Sequence, residues 1–180
     1  AVDRIVTSIR SEMSAEGYKT LMVGSIKEND GKSTVTANIA LNLARRGKKV
    51  VLVDCDMRHP SLAKIFDATV DPKEQFSEYL LGKCELDQVL KQTEVQAHPM
   101  DCIWQKKAVA KPYRLLGSER FISLINQLKE QFDYVVMDTP PLELIRDAEI
   151  ISETADAMLM VMRQDEGKAR LLPMLPASPT

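Results

Sequence analysis

The chain has 180 residues, of which 28% are charged and 44% hydrophobic, and its formal net charge is -2. This length predicts one domain with a hydrophobic core, and the composition excludes disordered and fibrous proteins. The small net charge excludes binding to nucleic acid through a global basic field. The apolar runs at 50–53 and 157–162 are much shorter than the roughly 20 residues that span a bilayer, so we expect no transmembrane segment.

The cysteines and the chain start predict the cellular setting. Cys55, Cys84 and Cys102 are odd in number and lack the short spacings of disulfide or zinc frameworks, which favours a reducing cytosol. The chain begins at Ala1 without a basic, apolar leader, which argues against secretion and suggests a piece cut from a longer protein.

Strand and helix patterns alternate along the chain. Short apolar runs predict buried parallel strands at 20–25, 49–54, 100–104, 134–138 and 157–161. Apolar residues at helical spacing predict helices at 33–46 and 118–131, the second beginning at a capping Ser118, and short helices throughout 61–96. This alternation predicts an α/β fold, with a mostly parallel sheet, helices on both faces and a ligand site at the carboxyl ends of the strands. We expect one domain at 1–165, followed by a tail or truncated end at 166–180.

The segment Gly31-Lys32-Ser33-Thr34 lies between a predicted strand and a predicted helix, which is the setting of a phosphate-binding P-loop. Amide groups at a helix N-terminus bind phosphate oxygens, and Lys32 is expected to reach the β- and γ-phosphates and Ser33 the magnesium ion. Ile26 stands where the usual pattern has its first glycine. The predicted nucleotide-binding residues are Asn29, Asp30, Gly31, Lys32, Ser33 and Thr34. A helix start without phosphate binding is the alternative.

Two other predicted strands end in carboxylates. Asp54 and Asp56 follow the second strand, and their alternation in an extended chain predicts that both point to one side. Asp138 ends the 134–138 strand in the manner of a Walker B element. Because Mg²⁺ prefers oxygen ligands, Ser33, Asp54 and Asp138 are the predicted metal ligands. Caps on the following loop are the alternative role of Asp54 and Asp56, and Arg58 is a candidate auxiliary residue.

These stretches resemble the bacterial tyrosine kinases of capsular and exopolysaccharide synthesis, called BY-kinases. The resemblance runs from about residue 10 to residue 165, and its matching segments are 29–34, 53–60, 115–121 and 133–141. It implies the P-loop fold shared with the partition and cell-division ATPases MinD and ParA, and an ATP- and Mg²⁺-dependent protein tyrosine kinase. It also implies that Lys32, Asp54 and Asp56 are catalytic, with Asp56 or Asp54 as the base.

The resemblance further implies a setting for the protein. It places the chain in the cytoplasm at the inner face of the cell membrane, activated by a membrane-anchored polysaccharide co-polymerase segment that is either separate or fused before Ala1. It implies a homo-oligomer, formed through an N-terminal helix motif that only Arg10 matches here, since Arg4 and Thr7 occupy its other positions.

Other functions remain open at this stage. Lys27 lies at the offset of the signature lysine of MinD- and ParA-type ATPase switches. A non-catalytic ATP-binding module of polysaccharide export is a third hypothesis, because the chain shows no C-terminal tyrosine cluster. The tyrosines Tyr18, Tyr79, Tyr113 and Tyr134 are expected to pack in or against the core, and none is predicted as a phosphoacceptor.

Overall fold

A mixed sheet forms the centre of the fold in the computed structural model, which describes residues 2–28, 31–162 and 169–173. Its strands in these ranges are β1 Thr20–Ser25, β2 Val50–Asp54, β3 Leu90–Val95, β4 His98–Ile103, β5 Tyr134–Asp138, β6 Ala157–Val161 and β7 Ala169–Pro173. They lie in the order β3-β4-β2-β5-β1-β6-β7. Every residue of β1, β2 and β5 is buried, which explains why these strands are unbroken apolar runs in the sequence.

The inner strand pairs are parallel: β4 with β2, β2 with β5, β5 with β1, and β1 with β6. The outer pairs, β3 with β4 and β6 with β7, are antiparallel. The prediction of a mostly parallel sheet is therefore confirmed. The register of β2 against β5 places Asp54 beside Asp138, so two predicted site residues meet at the same edge of the sheet.

Residues 90–95 form a strand, so the prediction of short helices throughout 61–96 is wrong at this end. β3 pairs with β4 across a turn in which Gln96 and Ala97 have φ angles of 52° and 66°. Glutamine and alanine rarely adopt positive φ, and the turn therefore lacks the usual hairpin signal. β3 also lies at the edge of the sheet and is largely exposed, so its sequence lacks a buried apolar run.

A strand also follows the last one predicted. β7 pairs antiparallel with β6 and lies within 166–180, where the sequence suggested a tail or truncated end. The remaining residues of that stretch lie outside the described ranges. The domain boundary at residue 165 stays a prediction, although the sheet continues beyond it.

Helices cover both faces of the sheet, as predicted. Those within the described ranges are α1 Val2–Glu16, α2 Lys32–Arg45, α3 Leu62–Ile65, α4 Phe76–Leu80, α5 Leu86–Val89, α6 Pro112–Leu116, α7 Glu119–Gln131 and α8 Ile145–Ser152. On one face Ile9 of α1 and Leu43 of α2 join Leu52 in a buried cluster. On the other face Phe121 of α7 packs in a cluster with Val51. The side chains of the consecutive β2 residues Val51 and Leu52 therefore pack on opposite faces of the sheet. None of the helices described has the length and apolar character that crossing a bilayer requires.

Glycines bound the helix that follows the P-loop. Gly31 and Gly47 have φ of 77° and 80°, a left-handed conformation that strains other residues. The first backbone bond of α2 runs from the Val35 amide to the Gly31 carbonyl at 3.1 Å. The amides of 32–34 therefore have no carbonyl partner within the helix, which leaves them available to an anion.

Ser118 caps α7 as the sequence predicts: its Oγ accepts a bond from the Phe121 amide at 3.3 Å. We expect Ser118→Ala to lower the free energy of unfolding by about 1 kcal/mol, because one amide of the first turn loses its acceptor. The matched control is Ser123→Ala, which changes an exposed residue within the same helix. Urea unfolding monitored by circular dichroism measures both, and equal losses in the two variants would contradict the capping role.

Candidate nucleotide-binding site

The predicted site residues meet at the carboxyl ends of three adjacent strands, β2, β5 and β1. β1 leads into the P-loop segment and α2, while β2 and β5 end in Asp54 and Asp138. Lys32 is the first residue of α2, and its side chain returns across these strand ends. Three segments that are far apart in the sequence therefore form one site.

Lys32 lies at the centre of this site. Its side chain is only 7% exposed, and its Nζ lies 2.6 Å from Asp138 Oδ1 and 3.7 Å from Asp56 Oδ2. Burial disfavours the ammonium form, but the charges of Asp138 and then Asp56 outweigh burial, so the pKa of Lys32 lies above its ordinary value. The lysine is therefore a fixed positive charge at neutral pH.

Asp138 is fully buried and accepts bonds from three side chains. Besides Lys32, the Ser33 hydroxyl donates to its Oδ2 at 2.8 Å and the Thr36 hydroxyl to its Oδ1 at 3.1 Å. Charge-assisted bonds of this kind compensate the burial of a carboxylate. Thr36 was not predicted, although its position one helical turn after Lys32 was a usable signal.

Asp54 lies behind the wall of the site and does not line it. It is fully buried, and its two carboxylate oxygens accept bonds from the amides of Asp56 at 3.2 Å and Leu62 at 3.4 Å. Burial, followed by the charges of Asp138 and Asp56, raises the pKa of Asp54 well above its ordinary value. Burial and neighbouring negative charges both disfavour the ionised form of a carboxyl group, which explains the direction of this pKa shift.

Asp56 faces the cavity that the P-loop borders. Its Oδ1 accepts a bond from the His59 amide at 3.1 Å, while its other oxygen faces Lys32. Burial raises the pKa of Asp56, although the Lys32 charge opposes that shift. The two aspartates that the sequence treated as a pair thus have different surroundings, and of the two only Asp56 lines the cavity.

The cavity has a volume of about 420 Å³ and is bordered by residues from the P-loop, the loop after β2 and the loop after β5. Its lining is Ser25, Glu28, Gly31, Lys32, Ser33, Thr34, Asp56, His59, Ser61, Ile65 and Pro141. Four of the six predicted nucleotide-binding residues line it, while Asn29 and Asp30 lie outside the described residues. An ammonium group and open helix amides favour a polyphosphate here.

The oxygen donors of the cavity fit Mg²⁺, which prefers hard ligands and keeps waters. The hydroxyls of Ser33 and Ser61 lie 2.8 Å apart beside the Asp56 carboxylate. Within the described ranges no group of three or more His, Cys, Asp or Glu side chains is arranged to hold a metal ion. Phosphate and water oxygens would therefore supply much of the coordination.

Two contacts at the cavity were not predicted from the sequence. Ser61 reaches Ser33 from the loop after β2, and His59 Nε2 lies 2.8 Å from Glu28 Oε1 across the mouth of the cavity. Neither residue belongs to a recognisable motif of the P-loop, and their proximity depends on how two loops meet.

The strand order, the entry of the P-loop into α2 and the acidic strand ends define a P-loop NTPase. The septum site-determining protein MinD of Pyrococcus horikoshii, solved with Mg-ADP, has this fold. It superposes with a TM-score of 0.66 at 20% identity, covering 79% of this chain and 56% of that chain. The predicted MinD/ParA-like fold is therefore confirmed.

The chain belongs to the family described as AAA domain, whose model matches residues 9–170, and to the bacterial tyrosine-protein kinases. Tyrosine-protein kinase CpsD of Streptococcus agalactiae serotype III (strain NEM316) is 33% identical over 150 residues, 83% of this chain and 63% of the relative. CpsD of Streptococcus pneumoniae serotype 4 is 30% identical over 159 residues, 88% of this chain and 69% of the relative.

A solved tyrosine kinase domain is also similar to this chain in its three-dimensional structure. The kinase domain of the Escherichia coli tyrosine kinase ETK superposes with a TM-score of 0.84 at 27% identity, covering 92% of this chain and 63% of that chain. The chain thus spans 63% of the length of that domain and of the first curated relatives. The resemblance to BY-kinases that the motifs indicated is confirmed.

Proposed function

We propose that this chain is the catalytic domain of a protein tyrosine kinase, which transfers the γ-phosphoryl group of ATP to a tyrosine. The observation that carries the proposal is the placement of Lys32. Its buried ammonium group lies at the cavity between two carboxylates, one of which, Asp56, faces the cavity. The names of the relatives, tyrosine-protein kinases, support the same reaction.

Asp56 is the proposed base. In the reaction a tyrosine oxygen attacks the γ-phosphorus, and the bond from that phosphorus to the bridging oxygen breaks, with its electron pair leaving on ADP. The phenol has a pKa of about 10, so its proton must pass to a nearby acceptor as the new bond forms. Of the two predicted base candidates, Asp56 lines the cavity and Asp54 does not, and this difference favours Asp56.

Lys32 and the helix amides hold the phosphates, and their positive charge opposes the charge that develops on the transferred group. We further propose that Ser33, Asp54 and Asp138 hold Mg²⁺ or its water ligands. The ion would neutralise phosphate charge and orient the γ-phosphate. Asp138 contributes by fixing Ser33 and Lys32, because it accepts a bond from each of them.

The phosphoacceptor is proposed to come from another molecule or segment. Tyr79 and Tyr134 are 5% and 7% exposed, and Tyr18 and Tyr113 are half-buried, which confirms the prediction that the tyrosines of the chain are packed. None of them lines the cavity.

The biological setting is proposed from the family resemblance. The kinase would act in the control of capsular or exopolysaccharide synthesis and export, at the cytoplasmic face of the membrane. Its partners would be a membrane-anchored co-polymerase segment and further copies of itself. The chimerical protein CapA2B2 superposes on this chain with a TM-score of 0.79 at 27% identity, which supports a search for such a partner.

One assay distinguishes the proposed kinase from an ATPase switch and from a non-catalytic ATP-binding module. The purified chain is incubated with [γ-³²P]ATP, Mg²⁺ and a random glutamate-tyrosine copolymer. Phosphotyrosine, free phosphate and bound nucleotide are measured, together with the oligomeric state by light scattering. Phosphotyrosine supports the kinase. Phosphate release with nucleotide-dependent dimers would support the MinD/ParA-type switch, and binding alone the non-catalytic module. Asp56→Asn should lower phosphotyrosine formation by about 10²- to 10⁴-fold, whereas Asp87→Asn, at an exposed position outside the cavity lining, should leave it unchanged.

A further inference from the structure

An ion pair joins the loop that follows β2 to α8, the helix that follows β5 along the chain. Arg58 Nε lies 2.8 Å from Asp147 Oδ2, and Arg58 Nη2 donates a longer bond of 3.5 Å to Asp147 Oδ1. The same guanidinium donates to the Ala110 carbonyl at 3.4 Å. Arg58, a candidate auxiliary residue from the sequence, thus faces α8 and does not line the cavity.

This pair differs from an ordinary surface salt bridge in its burial. The Asp147 side chain is 1% exposed and that of Arg58 is 27% exposed. A buried carboxylate needs a compensating partner, and a two-point contact with a guanidinium also restricts the orientation of both groups. Asp147 further lies in the first turn of α8, where the helix dipole favours an acid. Asp147 is therefore a fixed anchor for Arg58.

The anchor lies close in sequence to the catalytic loop. Arg58 follows the proposed base Asp56 by two residues. In the same loop the His59 amide donates to Asp56 Oδ1 at 3.1 Å, and the Met57 carbonyl accepts from the Val109 amide at 2.8 Å. The path of residues 56–59 therefore depends on a few contacts, and the ion pair of Arg58 with Asp147 is the one that ties this loop to α8.

We propose that the pair of Arg58 and Asp147 is a positioning clasp, which holds the loop after β2 so that Asp56 faces the cavity 3.7 Å from Lys32 Nζ. Arg58 acts through Asp56 and touches no substrate. The clasp also joins this loop to α8, the helix that follows β5 and Asp138 along the chain. Its effect on the rate rests on the proposed kinase function, whereas its effect on the loop does not.

Native-state amide hydrogen exchange tests the structural half of the proposal. In Arg58→Met and Asp147→Asn we expect the amides of His59 and Val109 to exchange about tenfold faster, since sub-global opening becomes easier when a local contact is lost. The amide of Lys49, bonded to Asp133 at 2.8 Å at the amino ends of β2 and β5, opposite to the site, should be unchanged. If Arg58→Met does not fold, Arg58→Lys takes its place in the exchange measurement, because lysine keeps the charge but cannot make the two-point contact with Asp147.

Lys91→Met is the matched control, because it breaks an exposed ion pair with Glu74 that is remote from the cavity lining. It should leave exchange at His59 and Val109 unchanged. Equal exchange in Arg58→Met and the unaltered chain would overturn the clasp, as would acceleration of the Lys49 amide to the same degree, which would indicate general loosening.

Kinetics test the functional half. Arg58→Met should lower kcat for phosphotyrosine formation by about 10- to 100-fold, because a small misplacement of a reacting group has effects of this size. The KM for ATP should change by less than about threefold, since the P-loop is intact. In an Asp56→Asn background Arg58→Met should cause little further loss, and a loss of full size there would overturn the action through Asp56. If the unaltered chain forms no phosphotyrosine, the proposed function fails, and hydrogen exchange alone decides the clasp.

Discussion

Lys32→Ala is expected to reduce phosphotyrosine formation by about 10²- to 10³-fold, the usual effect of removing one preorganised donor to developing charge. The lysine Nζ lies 2.6 Å from Asp138 and 3.7 Å from Asp56, and the side chain is almost fully buried. Without it the γ-phosphate would lie near the charges of Asp56 and Asp138, and this cluster would have no buried cation to offset them. The phosphorylation assay with labelled ATP measures the loss, and fluorescence titration with a labelled ADP measures the accompanying loss of affinity.

The same change is expected to destabilise the fold. Removing one partner of a buried ion pair costs about 3–5 kcal/mol, because the remaining charge has no compensation. Thermal unfolding therefore has to accompany the assay, at a temperature where the variant is folded. Lys64→Ala, at an exposed position, is the matched control and should retain both activity and stability. Undiminished phosphotyrosine formation by folded Lys32→Ala would refute the assigned phosphate site.

Lys27→Ala separates the two ATP-dependent hypotheses. A switch that uses Lys27 as its signature lysine should lose nucleotide-dependent dimerisation and phosphate release. A kinase that relies on Lys32 and Asp56 should retain phosphotyrosine formation, because Lys27 is not among the residues that line the cavity. Light scattering with ATP and the phosphorylation assay give the two measurements.

Asp54→Asn is expected to stabilise the ligand-free protein at neutral pH while impairing catalysis. Burial and the charges of Asp138 and Asp56 raise the pKa of Asp54 well above its ordinary value. The folded chain therefore binds this proton more tightly than the unfolded chain does. Ionisation destabilises the fold, and the penalty grows as pH rises from about 4 through the raised pKa. Asparagine cannot ionise, so the variant avoids the penalty.

We expect a gain on the order of 1 kcal/mol near pH 7, because a pKa difference of one between the folded and unfolded states corresponds to about 1.4 kcal/mol. The corresponding rise in Tm is about 2–4 °C per kcal/mol for a chain of this size. The gain should disappear below about pH 4, where Asp54 of the unaltered chain is protonated in both states. Asp87→Asn is the exposed control. A gain that is independent of pH would show that ionisation of Asp54 is not the cause.

The catalytic consequence of Asp54→Asn has the opposite sign. If Asp54 helps to hold Mg²⁺ or its waters, kcat should fall by about 10- to 100-fold, and the dependence of ADP affinity on Mg²⁺ should weaken. Titration with ADP in the presence of Mg²⁺ and of a chelator measures this dependence. An unchanged dependence would remove Asp54 from the metal site and leave it a structural residue behind the cavity wall.

The features predicted from the sequence are those encoded over short stretches of chain. The unbroken apolar runs of β1, β2 and β5 predicted central strands, because residues buried on both faces cannot alternate with polar ones. The segment Gly31-Lys32-Ser33-Thr34 marked the start of α2, and Ser118 marked the start of α7, because a P-loop precedes a helix and serine is a favourable helix cap.

Edges and turns were harder to predict. β3 was assigned to a helix because its turn uses residues with unusual positive φ angles and its side chains are largely exposed. An edge strand is defined by its neighbour β4, and nothing in its own sequence requires that pairing.

At the site, the sequence by itself determined which chemical groups are present: the P-loop lysine and serine, and the carboxylates that end two apolar strands. Only the tertiary structure decided which partners these groups contact and which of them face the cavity. Lys32 meets Asp138 across 106 positions of sequence because β1 and β5 are neighbours in the sheet. Asp54 lies behind the cavity wall, where its carboxylate accepts a bond from the Leu62 amide. Asp56 faces the cavity, where Lys32 of α2 lies beside its carboxylate. Backbone preference is local, whereas the position of a side chain relative to its partners depends on strand order and register.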